Sequence, residues 1–211
     1  MKSIKGESTV ECPNGCESFD AEYWTLIRGD QDAELKESLL GGELNLISCP
    51  TCGEIFYHDK DFIYFDPPKQ ILAFVSPKTA KENFEEKKQK MKKDFEFLRK
   101  NLAEMDITYD PFYLFGIEEL KALLDYEDFS NCQSEVIAAC ASQKGLKVAV
   151  LNAAEARLKG YPLYLPFKGS AYTRDSVKKA AQALFAENPA LTLLNAVIKD
   201  MNEGKDLPKH L

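Results

Sequence analysis

The sequence is poor in histidine, has a single tryptophan and contains no long apolar run. With only His58 and His210 available, catalysis built on histidine has few possible arrangements. No stretch approaches the roughly 20 apolar residues of a membrane span. The opening Met1-Lys2-Ser3-Ile4-Lys5-Gly6-Glu7 leads into no apolar signal segment, so a cytoplasmic chain is expected. A Gly-x-x-x-x-Gly-Lys-Ser/Thr phosphate loop, a Gly-x-Ser-x-Gly elbow and a His-Glu-x-x-His pair are all missing. So are repeats and low-complexity tracts. Acidic neighbours such as Glu118/Glu119 and Glu127/Asp128 read as solvated helix surface rather than acid–base pairs.

What is present suits a globular protein of one ordinary domain or two small ones. Its 211 residues are 45% hydrophobic and 29% charged, enough to bury a core. The net charge of −7 is unevenly placed: residues 1–78 hold 7 Lys/Arg against 14 Asp/Glu, residues 79–104 hold 8 against 6, and residues 105–211 hold 12 against 14. The excess negative charge therefore sits on the first segment, where it opposes contact with a phosphate backbone.

That same segment carries Cys12-Pro13-Asn14-Gly15-Cys16 and Cys49-Pro50-Thr51-Cys52-Gly53, separated by 32 residues. In a reducing compartment, closely spaced thiols are more often metal ligands than disulfides. Each pair can form a tight turn that aims two sulfurs at one point, and two such turns supply a tetrahedral set. Four soft sulfur donors at about 2.3 Å suit one structural Zn²⁺ with no open coordination position. Pro50 sets the first φ of its turn, and Gly53 is expected at positive φ with its N–H towards a sulfur. Two other readings stand beside this one: ordinary buried cysteines, and a redox Cys-x-x-Cys at Cys49 and Cys52 that leaves the first pair unexplained. Cys132 and Cys140, if they share a helix, lie about 12 Å apart, beyond disulfide reach, and are expected to be packing residues.

The expected architecture is α+β, in three parts. Residues 1–78 hold short strands rich in β-branched and aromatic residues, a zinc-ribbon-containing antiparallel β unit, interrupted by a short helix at 32–40 with Asp32 as N-cap and Gly41-Gly42 as its stop. Residues 79–104 form a long charged helix opened by a Thr79–Glu82 capping box and roughly 39 Å long. Its apolar residues Phe84, Met91, Phe95, Leu98, Leu102 and Met105 make a narrow stripe. Residues 105–211 form a mixed, mainly helical α/β lobe. Its strands are expected at 112–115, 147–151 and 161–167, and its helices at 116–126, 133–144, 174–187 and 190–203. His58 is either a further ligand or site residue oriented by Asp59, or a hairpin-turn histidine, the favoured reading. Trp24, Tyr57, Tyr64 and Phe65 form either a binding face or the core of a small sheet.

Taken together, the two Cys-Pro pairs, the run Asp32-Ala33-Glu34-Leu35-Lys36 to Gly42-Glu43-Leu44-Asn45, Tyr57-His58-Asp59 and Phe115-Gly116-Ile117-Glu118-Glu119-Leu120 resemble the CpXC protein family. The similarity covers approximately residues 9–150. The family is named for its paired Cys-Pro-x-Cys motifs, and its members are bacterial or archaeal proteins without an established biochemical activity. The resemblance thus implies the metal site and a prokaryotic origin. Two departures stand out: the first motif has one extra residue, and Arg28-Gly29 occupies a place where the family favours Asn.

The functional expectation is a non-enzymatic zinc protein that contacts another protein, a second copy included, through the long helix or the C-terminal lobe. A nucleic-acid-associated zinc ribbon is the first alternative. The basic run Lys87-Lys88, Lys90 and Lys92-Lys93 could reach phosphate, but acidic residues are interleaved with it. A thiol-redox or metal-sensing protein is the second. No catalytic residue is assigned.

Overall fold

Alternating β-branched and aromatic residues dominate the chain up to Ser76, and in the computed structural model they build a sheet. The structure describes residues 2–101 and 107–209. The chain divides into two units, Met1–Leu123 and Leu124–Leu211. In the first, the elements run β1 (Ile4–Val10), β2 (Phe19–Arg28), α1 (Ala33–Gly41), β3 (Leu46–Ser48), β4 (Ile55–Tyr57), β5 (Phe62–Asp66), β6 (Ile71–Ser76), α2 (Phe84–Asn101) and β7 (Phe112–Phe115).

The class is α+β as expected, but the five-stranded sheet, ordered β1-β2-β5-β6-β7, is mixed rather than antiparallel. β2 pairs with β5, and β6 with β7, in parallel. Both parallel pairs join strands far apart in sequence, and a parallel neighbour requires such a crossover. The second crossover is α2 itself; the first holds α1 and the separate β3–β4 hairpin. Because Phe112–Phe115 extends this sheet, that strand belongs with the N-terminal unit and not with a lobe beginning at residue 105.

The charged helix also starts later and is more engaged than its composition suggests. Lys78–Asn83 forms a 3-10 turn without a side-chain cap, and the α-helix proper starts only at Phe84. Its 18 residues span about 27 Å. Met91, Phe95 and Leu98 of the stripe pack with Phe65, Leu72 and Phe74 of the sheet. These three residues are therefore packed against the sheet. Leu102 and Met105 lie outside the described residues. Asp32 precedes α1 as expected, yet its carboxylate accepts from Ser3 N and Ser3 Oγ instead of capping the helix.

Two predicted helices at 116–126 and 133–144 are one helix, α3 (Ile117–Gln143), since the intervening stretch contains Ser130 and Asn131 but no Gly or Pro to stop it. Cys132 is exposed on it, so only Cys140, packed against the second unit's core, is a packing residue. Further on come β8 (Lys147–Val150), α4 (Ala153–Lys159), β9 (Tyr164–Phe167), α5 (Arg174–Glu187) and α6 (Leu193–Asn202). β8 and β9 form an antiparallel pair. α4 was not expected, although Asn152 caps Glu155 N and Gly160 closes it at φ 64. The core here includes Ile137, Leu151, Tyr161, Leu165, Val177 and Leu194. No helix among the described residues is long and apolar enough to cross a membrane.

Candidate metal centre

Proline and glycine shape both cysteine turns. The first turn joins β1 to β2, beyond the Val10–Phe19 pair; the second joins β3 to β4, beyond Ser48–Ile55. Gly15 lies at φ 74 and donates its N–H to the Cys12 carbonyl at 2.9 Å. The extra residue of the first motif is thus absorbed by a glycine in the left-handed region, where an L side chain is disfavoured. Gly53 is likewise at φ 74, as expected, but its N–H donates to the Cys49 carbonyl at 2.9 Å. It closes the turn through the backbone, where a bond to sulfur was anticipated.

The two tips converge. The sulfurs of Cys12, Cys16, Cys49 and Cys52 all lie within 4.8 Å of one another, and Cys12 Sγ is 3.6 Å from Cys52 Sγ. A tetrahedron of sulfurs at 2.3 Å from a central ion has edges of about 3.8 Å, so this spacing suits four-sulfur coordination. Each turn contributes one inner and one outer thiol: Cys12 and Cys49 are buried, Cys16 is half-buried and Cys52 exposed. Burial and neighbouring donors act differently on Cys12, Cys16 and Cys49. Backbone N–H groups of Cys52 and Thr51 pull Cys49 down to about 6, whereas hydrogen bonds with Cys52 and Cys12 push Cys16 up to about 12. Burial raises Cys12. Four thiolates this close repel one another, and a divalent cation at their centre removes the conflict.

Two asparagines join the hairpins, Asn14 at the tips and Asn45 at the end of β3 away from them, and neither was given a role from sequence. Asn14 Nδ2 donates to Cys52 Sγ at 3.7 Å and to Glu54 Oε2 at 3.3 Å, bridging the two turns. Asn45, at φ 59, uses its side chain like a strand backbone: Oδ1 accepts from Trp24 N at 2.7 Å and Nδ2 donates to Trp24 O at 3.2 Å. This docks the β3–β4 hairpin onto β2 just before β2 meets β5, whose pairing begins at Leu26. Asn is among the few residues that tolerate left-handed backbone, the one local signal in its favour. Phe56 adds an edge-on contact with Phe19.

His58 is not part of the sulfur cluster. It is 7% exposed, contacts Ser8 Oγ through Nε2 at 3.0 Å, stands edge-on to Tyr23, and donates its backbone N–H to Asn45 O. Burial lowers its pKa, which keeps the ring neutral. Nor do the aromatics share a binding face: Tyr64 and Phe65 are core, Trp24 carries Lys5 over its ring, and Tyr57 faces solvent. Arg28 is buried in a two-pronged ion pair with Asp30 and lies over Phe65.

Fold and site together define a mixed α/β protein bearing a zinc-ribbon-like unit, with a four-cysteine cluster able to hold a metal ion. The chain belongs to the CpXC protein family, whose model matches residues 10–131. The match takes in both cysteine turns, β2 to β7 and the first part of α3. Comparisons with curated proteins and with solved structures gave no match.

Proposed function

We propose that the four cysteines hold one structural Zn²⁺ and that the protein is a non-enzymatic interaction module acting on another protein. The observation that carries the metal reading is the spacing of four sulfurs drawn from two separate hairpin tips. An all-sulfur set is the soft donor chemistry that zinc favours, and four ligands leave no position for substrate or water. The ion would link the tips of the two hairpins beside the Asn14 bridge. Asn14 would then act on the ligand sulfur of Cys52, an outer hydrogen bond of the kind that tunes metal affinity.

An interaction role is favoured over nucleic-acid binding by the charge of residues 1–78, 7 cations against 14 anions, which four thiolates on Zn²⁺ would deepen by about −2. Thiol-redox or metal-sensing chemistry is the second reading, favoured by the exposure of Cys52. Elemental analysis and native mass spectrometry of protein purified without added zinc test the proposal. One zinc per chain, with thiols slow to label until a chelator is added, is the expected result. A folded chain with less than stoichiometric metal, or with rapid labelling of all four thiols while loaded, would sink the structural reading.

A further inference from the structure

We propose that the outer face of the β3–β4 hairpin, formed by Leu46, Ile55 and Tyr57, is the docking surface for a partner segment whose apolar side chains are rimmed by Lys or Arg. The inference rests on the interaction-module reading and gives it a place and a partner chemistry. Leu46 stands directly across from Tyr57, and Ile55 lies one pair further along the same face, across from Ser48. These three are 46%, 37% and 65% exposed in the order Leu46, Tyr57, Ile55. The opposite face is already satisfied, with Ile47 buried and Phe56 against Phe19. A hairpin packed on one side ordinarily alternates apolar-in with polar-out; here both sides are apolar, so the outer one lacks a structural reason within the described fold.

The surface is also held ready for contact. Cys49 N donates to Glu54 O at 2.8 Å and His58 N to Asn45 O at 2.9 Å, closing the hairpin at both ends. Little ordering is then required of these side chains when a partner arrives, which favours affinity per unit area.

Charge selects the occupant. Glu43, Glu54 and Asp59 flank the two strands and are exposed, as are Glu11 and Glu17 on the neighbouring cysteine turn. None of them forms an ion pair among the described residues, and residues 43–60 contain a single cation, Lys60. A second copy of this chain would bring the same acidic rim against itself, and nucleic acid would be repelled outright. A Lys- or Arg-rimmed apolar segment gains on both counts, apolar burial at the centre and opposite charge at the edge.

The test uses the full zinc-loaded chain and three synthetic 18-residue helical peptides: amphipathic Leu/Lys, its charge-reversed Leu/Glu counterpart, and a Ser/Lys control. Anisotropy measures binding and backbone amide NMR shifts locate it. The Leu/Lys peptide is expected to bind and to shift the amides of 46–48 and 55–57. The double substitution Ile55→Ser/Tyr57→Ser should weaken it at least about tenfold with zinc content unchanged, and Leu46→Asn on the other strand supplies an independent variant. Equal binding of the Leu/Glu or Ser/Lys peptide, shifts confined to other residues, or concentration-dependent shifts at this face without peptide would each overturn the proposal. If a complex with another protein is found and survives all three substitutions, this surface is wrong while the module reading stands. If neither complex nor peptide binding occurs, both fall.

Discussion

If the four cysteines hold a metal as proposed, removing it should unfold the β3–β4 hairpin and the 11–18 turn while leaving the five-stranded sheet in place. The strands of the hairpin are three residues each, and a two-stranded pair of that length is marginal in water. Ordering each residue costs about 1–2 kcal/mol in backbone entropy. Against that, the hairpin and its lead-in bury the aliphatic side chains Leu44 and Ile47, worth about 1.5–3 kcal/mol each, and cross-strand pairs add about 0.2–1 kcal/mol apiece. Structural zinc contributes about 10–16 kcal/mol in small domains, the same order as the cost of ordering a segment of this length. By contrast β5 and β6 share a five-pair register and a core with α2 that owes nothing to the sulfurs. Hydrogen exchange resolved by peptide, before and after chelation, measures the difference. Protection of the Cys49 and His58 amides should fall at least about 100-fold, while amides of β5 and β6 change less than about threefold, since each factor of ten is about 1.4 kcal/mol. Retention of hairpin protection without metal, or joint loss in β5 and β6, would refute the reasoning.

Further consequences concern protons, packing and the outer hydrogen bond. Because Cys16 is pushed up to about 12 and burial raises Cys12, both are protonated near neutrality, and metal binding must displace their protons. Affinity should therefore rise with pH by at least two decades per unit between pH 7 and 8, and acid should release the ion; an indicator dye showing fewer than two protons released per metal contradicts this. Gly29→Ala would place a Cβ 1.9 Å from the hydroxyl oxygen of the fully buried Tyr64, so a loss of about 1–3 kcal/mol in urea unfolding is expected, and an unchanged midpoint would show that the ring moves freely. Asn14→Ala removes the bridge to Cys52 Sγ and Glu54 and should weaken metal affinity about 10–100-fold in a chelator competition, with no change in the protection of β5 and β6.

Some of this architecture could be read locally. Cys-Pro turns, a positive-φ Gly53 beside the second of them and a Gly stop after α1 are short-range devices whose meaning depends on a few neighbours, and the structure carries these backbone features as anticipated. The strands at Phe112–Phe115 and Lys147–Val150 were legible for the same reason, whereas β1 (Ile4–Val10) was not. Helix limits were less so: Thr79–Glu82 has the pattern of a capping box, yet Lys78–Asn83 takes a 3-10 turn, and α3 runs through Glu127–Cys132 because nothing there breaks it.

The sequence by itself determined that four thiols come as two turn-forming pairs and that the surrounding segment is acidic, because spacing, backbone preference and charge are properties of adjacent residues. Only the tertiary structure decided that β5 and β7 enter the sheet in parallel, that α2 spends its apolar stripe on Phe65 and Phe74, and that Asn45 fastens the second hairpin to Trp24. Those outcomes depend on which distant surfaces meet, and a crossover strand or a side chain standing in for backbone leaves no periodic trace along the chain.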